Sequence, residues 1–310
     1  GNDSKLSKGK IAGYRNFTNK LWNISRFILT GVENVKSVEN VKPVTLADKW
    51  ILSRFDTVVA EVTKHLEKFE FSQAGEKLRD FTWNEFADWY LEIAKVQKND
   101  KGDDQTDRVL LYILERLLVL WHPFMPFVTE QIWKQFETNE MLMVHSWPEV
   151  SGFVDEQVEK DFEVVKNVIV SIRNVRAEYG VKPSEYITVI VTGEDLDVID
   201  NAKEFICCLA RIEKLEIDSS ASKPENAASI ALGNIVVFIP LADLIDPAKE
   251  KERLEKELKE TEVYLDSLEK KLANDEFVSN APKEVVNGIR DKKEEAGQKC
   301  KTILDQLNNL

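Results

Sequence analysis

The sequence reads as a mainly α protein: a helical bundle, then a small α/β module, then a C-terminal antiparallel coiled-coil hairpin. Three observations predict this. Apolar residues recur at steps of three and four through the first 150 residues, β-branched runs bounded by Pro and Gly follow between about 186 and 239, and a heptad seam begins at Leu254. The expected domains are 1–150, 151–245 and 246–310.

In the bundle, Tyr14, Phe17, Leu21, Ile24 and Ile28 form the apolar stripe of a first helix ending near Gly31. Thr45 with Asp48 resembles a capping box, and Ile51, Phe55, Val58, Val62, Leu66 and Phe69 continue at helical spacing. Ser72 is the expected cap of a third helix carrying Leu78, Phe81, Trp89 and Ile93, and Lys98 to Gln105 reads as a charged loop. A fourth helix from about Thr106 is apolar on most sides and must stop before Pro123, after which Pro126 restarts a short helix through Trp133 and Phe136.

Val158, Phe162, Val165, Ile169 and Ile172 mark one more helix. Tyr186 to Val191 reads as a strand, 195 to 212 as helical, and Lys214 to Ile217 and Ile235 to Ile239 as further strands, the last after Gly233-Asn234. From Pro247, Leu254, Leu258, Thr261, Leu265, Leu268 and Leu272 alternate steps of four and three; Ile289, Ala296, Ile303 and Leu310 then repeat every seven. With a turn over Asn274 to Pro282, the pattern predicts a hairpin whose first arm of about 26 residues reaches roughly 40 Å.

Composition narrows the function. With 43% apolar residues in 310, the chain has enough to bury real cores, and disorder is excluded for most of it. No apolar run exceeds six residues (Val109 to Leu114 and Phe205 to Ala210), far short of the roughly 20 residues a membrane span requires, so a cytoplasmic protein without a membrane partner is expected. Cys207, Cys208 and Cys300 lack CxxC spacing, which disfavours a disulfide framework or a thiolate metal site. The chain opens on Gly1 with no initiator Met, as an excised fragment or a processed or tagged terminus would. A net charge of -13 argues against indiscriminate nucleic-acid binding, but the first thirty residues hold six Lys or Arg against the single acid Asp3, a local balance of +5.

The segment Arg15-Asn16-Phe17-Thr18-Asn19-Lys20-Leu21-Trp22-Asn23, followed by Arg26-Phe27-Ile28, resembles the helix that opens the anticodon-binding domain of valyl-tRNA synthetases, class I aminoacyl-tRNA synthetases. Leu46-Ala47-Asp48-Lys49-Trp50-Ile51, Trp83-Asn84-Glu85-Phe86-Ala87-Asp88-Trp89-Tyr90-Leu91-Glu92, His122-Pro123-Phe124-Met125-Pro126-Phe127-Val128-Thr129-Glu130 and Ser146-Trp147-Pro148 are similar to that family. So is the terminal hairpin, with Phe277-Val278 and Ala281-Pro282 in its turn. Several elements are shared with leucyl and isoleucyl enzymes. The Asn19-Lys20-Leu21-Trp22-Asn23 form, the hairpin and the lack of a cysteine-rich zinc module favour valyl.

The resemblance implies a tRNA-binding C-terminal part: an anticodon-binding bundle and an arm steadying the tRNA body. Valine would be activated with ATP and Mg²⁺ by a catalytic domain upstream, carrying HIGH and KMSKS signatures. No cofactor is expected in this chain, which alone should neither activate valine nor charge tRNA. Lys5-Leu6-Ser7-Lys8-Gly9 mimics KMSKS but lies only six residues before Arg15, so a basic terminal segment is the reading kept. Alternatives are the same region of an isoleucyl enzyme and, from another class, a coiled-coil scaffold. Thirteen Lys or Arg against sixteen Asp or Glu over 246–310 leave composition alone compatible with a protein-binding coiled coil.

Candidate contacts come from helix geometry. At about 100° per residue, Arg15, Asn19, Trp22 and Arg26 fall within roughly 60° of one another, centred roughly 150° from the apolar stripe. Two guanidiniums, an amide and an indole suit phosphates and unpaired bases. Trp83 and Asn84 are weaker surface candidates, while Phe86 and Trp89 are expected in the core. The plain alternative is that Trp22 packs against a neighbouring domain and both arginines pair with acids. His65, His122 and His145 show no HxxxH or HxxE spacing and read as structural; no catalytic or metal residue is assigned.

Overall fold

The computed structural model describes residues 7–32, 41–101, 105–136, 140–240, 247–273 and 283–308. It divides into two compact units, Gly1–Ile169 with Asp197–Ala210, and Val170–Leu196 with Arg211–Leu310. The fold is mainly α with one four-stranded sheet.

The first unit holds α1 (Lys8–Gly31), α2 (Leu46–Glu67), α3 (Phe71–Asp80), a π-helical segment (Phe81–Tyr90), α4 (Leu91–Lys101), α5 (Gln105–Trp121), α6 (Pro126–Trp133) and the start of α7 (Glu156–Glu178). Two short helices, α8 (Asp197–Asn201) and α9 (Lys203–Ala210), belong to it as well. The apolar stripes meet as periodicity predicts: Leu21, Ile28, Ile51, Phe55, Leu78, Leu110 and Phe162 are fully buried, and the Trp50 and Phe162 rings stack 3.9 Å apart. The capping box at Thr45 and Asp48 is formed in both directions. Arg54 of α2 forks between Glu85 (2.7 and 3.1 Å) and Glu159 (3.3 Å), fixing the π segment and α7 to one helix.

Four expectations need correction. Ser72 does not cap α3, which starts at Phe71 after Glu70. The α2 C-terminus closes so tightly, with Phe69 N–H donating to the Leu66 carbonyl and Glu70 N–H to that of His65, that α3 begins before Ser72 is reached. The segment from Lys98 is not all loop: helix continues to Lys101, held because Lys98 bonds Asp107 at 2.6 Å and the Gly31 carbonyl at 2.6 Å. Residues 102–104 lie outside the described part. Tyr14 is 63% exposed rather than part of the core stripe.

Trp89 is the fourth: it is half-buried, and Tyr90 takes the core position. The reason is the π segment, where Leu91 N–H reaches back five residues to the Phe86 carbonyl. Wider turns let Phe81, Phe86 and Tyr90, spaced by five and four, share a buried face that ideal α geometry would splay. Their rings stack successively at 6.2 Å.

The second unit is built on a sheet ordered β2-β1-β4-β3, from β1 (Ile187–Gly193), β2 (Ile212–Ile217), β3 (Ala227–Leu232) and β4 (Ile235–Pro240). β1 and β2 are parallel and the other pairs antiparallel. Gly193 is obligatory, since a Cβ there would sit 2.1 Å from the Asn234 carbonyl oxygen. Buried Arg176 donates to the carbonyls of Lys182 (3.0 Å), Glu185 (2.8 Å) and Arg211 (3.4 Å), closing the α7–β1 loop.

The arm pairs α10 (Pro247–Leu272) with α11 (Lys283–Asn308). Its seam buries Leu254, Thr261 and Leu268 against Val286, Ala296 and Ile303. Leu258, Leu265, Leu272 and Ile289 are half-buried. The expected turn over Asn274 to Pro282 and the last seam residue Leu310 lie outside the described residues, as does the 245/246 boundary.

Candidate nucleic-acid interface

Helix α1 sits with Phe17, Leu21, Ile24 and Ile28 inward, and Phe17 is gripped by Trp121 at 4.8 Å and Trp83 at 6.1 Å. No acidic residue occupies its first turn and no basic one its last, so its C-terminal carbonyl is satisfied from outside by Lys98 Nζ. Rotation about the axis is thereby set, and the opposite face is fixed with it.

That face carries Arg15, Asn19, Trp22 and Arg26, all exposed, with Trp22 retaining 43% of its surface. Among the described residues neither arginine forms an ion pair and Trp22 stacks on no ring. Asn16 and Asn23, also exposed, widen this polar ridge; helical rotation places both beside it, a signal open to the same wheel that found the four. Lys5 and Leu6 lie outside the described residues, while Ser7, Lys8 and Gly9 are exposed at the helix start.

Trp83 and Asn84 are not on this ridge. They line a cleft with Gly13, Tyr14 and Phe17, which occupy another side of α1 roughly 150° round. Trp83 is half-buried, with Lys20 Nζ 5.1 Å from its ring and itself bonded to Asp88 at 3.0 Å. Phe86 is buried.

On the arm, a shallow depression of about 610 Å³ opens where the seam residues Thr261 and Ala296 are small, edged by Tyr264, Lys256, Lys292 and Lys299. Cross-arm ion pairs Lys299–Glu257 (2.9 Å) and Lys293–Glu269 (3.0 Å) are solvent-exposed enough to set register more than stability. The histidines are occupied: His65 by Glu70 at 2.7 Å, His122 by Thr129 at 2.9 Å, and His145 against the Trp133 ring. The bond from His65 holds the half-buried Glu70 carboxyl below its ordinary range. Among the described residues no three His, Cys, Asp or Glu converge as metal ligands, and no helix is long and apolar enough to cross a membrane.

Residues 48–191 match the family described as the anticodon-binding domain of tRNA ligase, and residues 246–310 the valyl tRNA synthetase tRNA binding arm. Among curated proteins, valine–tRNA ligase of Enterococcus faecalis is 38% identical and that of Geobacter sulfurreducens 37%, each over 100% of this chain and 36% of the relative. The Thermotoga maritima protein of the same name is 36% identical over 94% of this chain and 34% of its own length. A crystallographic LeuRS–tRNA–LeuAMS complex from Agrobacterium radiobacter aligns over 74% of the chain and 25% of its own at 13% identity and a TM-score of 0.38, too distant to weigh. The chain thus spans about a third of the length of the curated relatives it matches. With an anticodon-binding domain, a valyl-type arm and full-chain similarity to valine–tRNA ligases, this chain belongs to the valyl-tRNA synthetase family.

Proposed function

We propose that this chain holds valine tRNA for a longer valine–tRNA ligase, reading the anticodon from the outer ridge of α1 and supporting the tRNA body with the α10–α11 arm. The observation that carries the reading is that ridge: two guanidiniums, an amide and an indole stand exposed on one face of a protein whose net charge is -13. Elsewhere the acidic surface repels phosphate, so tRNA is steered to the basic helix. Trp83 and Asn84 serve as secondary contacts at the flank of α1. In this scheme 1–150 is the anticodon-binding region, 151–245 a connecting module and 246–310 the arm.

Catalysis is assigned to the remaining length of the ligase, which supplies the ATP and Mg²⁺ sites, activates valine as valyl-adenylate and passes it to the tRNA 3′ end in the cytoplasm. A gel shift of the chain with valine tRNA tests the reading. Binding that weakens with rising salt and exceeds that of a tRNA with another anticodon is expected; no binding at low salt, or equal binding of both, overturns it. Valine-dependent pyrophosphate exchange by the chain alone would overturn the division of labour.

A further inference from the structure

The first unit exposes an aromatic surface that begins beside the Trp83–Asn84 cleft, sharing Tyr14, Phe17, Glu76 and Arg79 with it, and runs on to Phe71, Phe124 and Met125. A cleft of about 360 Å³ is walled by Tyr14, Phe71, Trp121, Phe124 and Met125. Phe71 is 56% exposed, the adjoining Phe69 79%, and Phe127, three residues beyond Phe124, 91%. The Phe69 and Phe71 rings meet edge-on at 6.2 Å, so the surface is continuous from the α2–α3 turn into the cleft. Phe69 also stands at φ +59, the left-handed position of a Schellman closure that glycine occupies without strain. An aromatic side chain that is strained and wet gains nothing from folding and is explained by what covers it.

We propose that this surface is where the remaining, catalytic part of the full-length ligase packs against the first unit; this rests on the reading of the chain as part of a longer valine–tRNA ligase. Relatives carry nearly twice as much chain again beyond the third matched here, so the full-length protein supplies a body large enough to cover this surface. The chemistry of the patch favours protein over RNA. No lysine lines the cleft, and its one cation, Arg79, shares it with Glu76 and is bonded to Asp80 at 3.3 Å. Aromatics with Met and without Lys are the composition of buried protein interfaces, whereas phosphate contacts demand cations.

The test is thiol footprinting of Phe127→Cys and Phe71→Cys, each in the isolated chain and in the full-length protein without tRNA, read peptide by peptide by mass spectrometry. Asn23→Cys, on the outward side of α1, is the control, and helical content of each variant is checked first. Labelling at 127 and 71 is expected to slow at least tenfold in the full-length protein while position 23 reacts equally in both. Equal rates at 127 and 71 in both proteins overturn the proposal. So does protection that appears only on adding tRNA, which gives the surface to RNA, or that grows with concentration of the isolated chain, which gives it to a second copy. Because no tRNA is needed for the expected result, a chain that fails to shift tRNA leaves this outcome readable on its own.

Discussion

Tyr90 donates its hydroxyl to Asp48 at 2.7 Å inside the bundle, joining the π segment to the N-terminus of α2. The other Asp48 oxygen accepts from the backbone of Val44 and Thr45, and Thr45 in turn accepts from Gln97, whose own oxygen takes the Thr106 hydroxyl. One chain of bonds, buried at Tyr90 and Asp48 and partly exposed beyond them, therefore links α2, the π segment, α4 and α5.

Tyr90→Phe removes a donor and leaves a buried carboxylate oxygen short of a partner, so a loss of about 1 to 3 kcal/mol in urea unfolding is expected. The variant should also lose a pH signature. Burial first, then the Asp48 charge, push the Tyr90 phenol well above its ordinary 10.0. The folded state thus keeps a proton that the unfolded state releases near pH 10; this stabilisation is complete below that pH and declines as pH rises beyond it. A melting series from pH 8 to 11 should fall more steeply for wild type than for Tyr90→Phe.

This region also marks what the sequence could and could not convey. The α1 stripe, the Thr45 capping box, the α5 core helix and the leucine seam were legible because each follows one period or one local hydrogen-bond rule. Trp89 was misplaced because periodicity assumes 3.6 residues per turn, and nothing local in Phe81–Tyr90 announces i to i−5 bonding; its ends meet partners distant in sequence, Phe81 against Phe55 and Tyr90 on Asp48. β3 went unseen because Ala227-Ala228-Ser229-Ile230-Ala231-Leu232 has little strand propensity of its own and is held by pairing with β4 across Gly233-Asn234. Of the candidate contacts, the four on α1 shared a wheel and could be grouped from sequence, whereas the separate position of Trp83 and Asn84 depends on how two helices pack.

In the sheet unit, Arg176→Met should cost about 1 to 3 kcal/mol, since three backbone carbonyls lose a charged donor while the hydrophobic stem is retained. Arg176→Lys should rescue little of this, because one ammonium cannot span the fork of acceptors. Urea unfolding of the three proteins checks both; full rescue by lysine would show that charge, not geometry, closes the loop.

The arm offers a graded test. Leu268 is fully buried in the seam and Leu265 only half-buried, so Leu268→Asp should open the hairpin and Leu265→Asp should weaken it less. Circular dichroism at rising temperature should show an early transition confined to the arm's helical signal. If Leu268→Asp leaves melting unchanged, the two helices are not held by this seam. Deletion of residues beyond about 245 should lower affinity for valine tRNA at physiological salt, and unchanged affinity would remove tRNA as the arm's partner.

The proposed reading of the anticodon from the ridge of α1 is open to substitution at each of its four side chains. Arg15 and Arg26 lie eleven residues apart, roughly 16 Å along the helix, a span that two or three nucleotides of a single-stranded loop can bridge. Arg15→Ala or Arg26→Ala should weaken tRNA binding and reduce the slope of log affinity against log salt by about 0.7 for each phosphate no longer neutralised. Trp22→Ala should cost roughly 1 to 3 kcal/mol of binding with its salt slope intact, because stacking on a base releases no counterion. Asn19→Ala should change the preference among anticodons more than the affinity, as an amide reads base edges. All four side chains are exposed, so the melting temperature should hold within roughly a degree or two, separating weakened binding from weakened folding. Wild-type affinity for valine tRNA in the Arg15, Trp22 and Arg26 triple alanine variant would move the anticodon elsewhere, first to the flank at Trp83 and Asn84, where Trp83→Ala would then carry the loss.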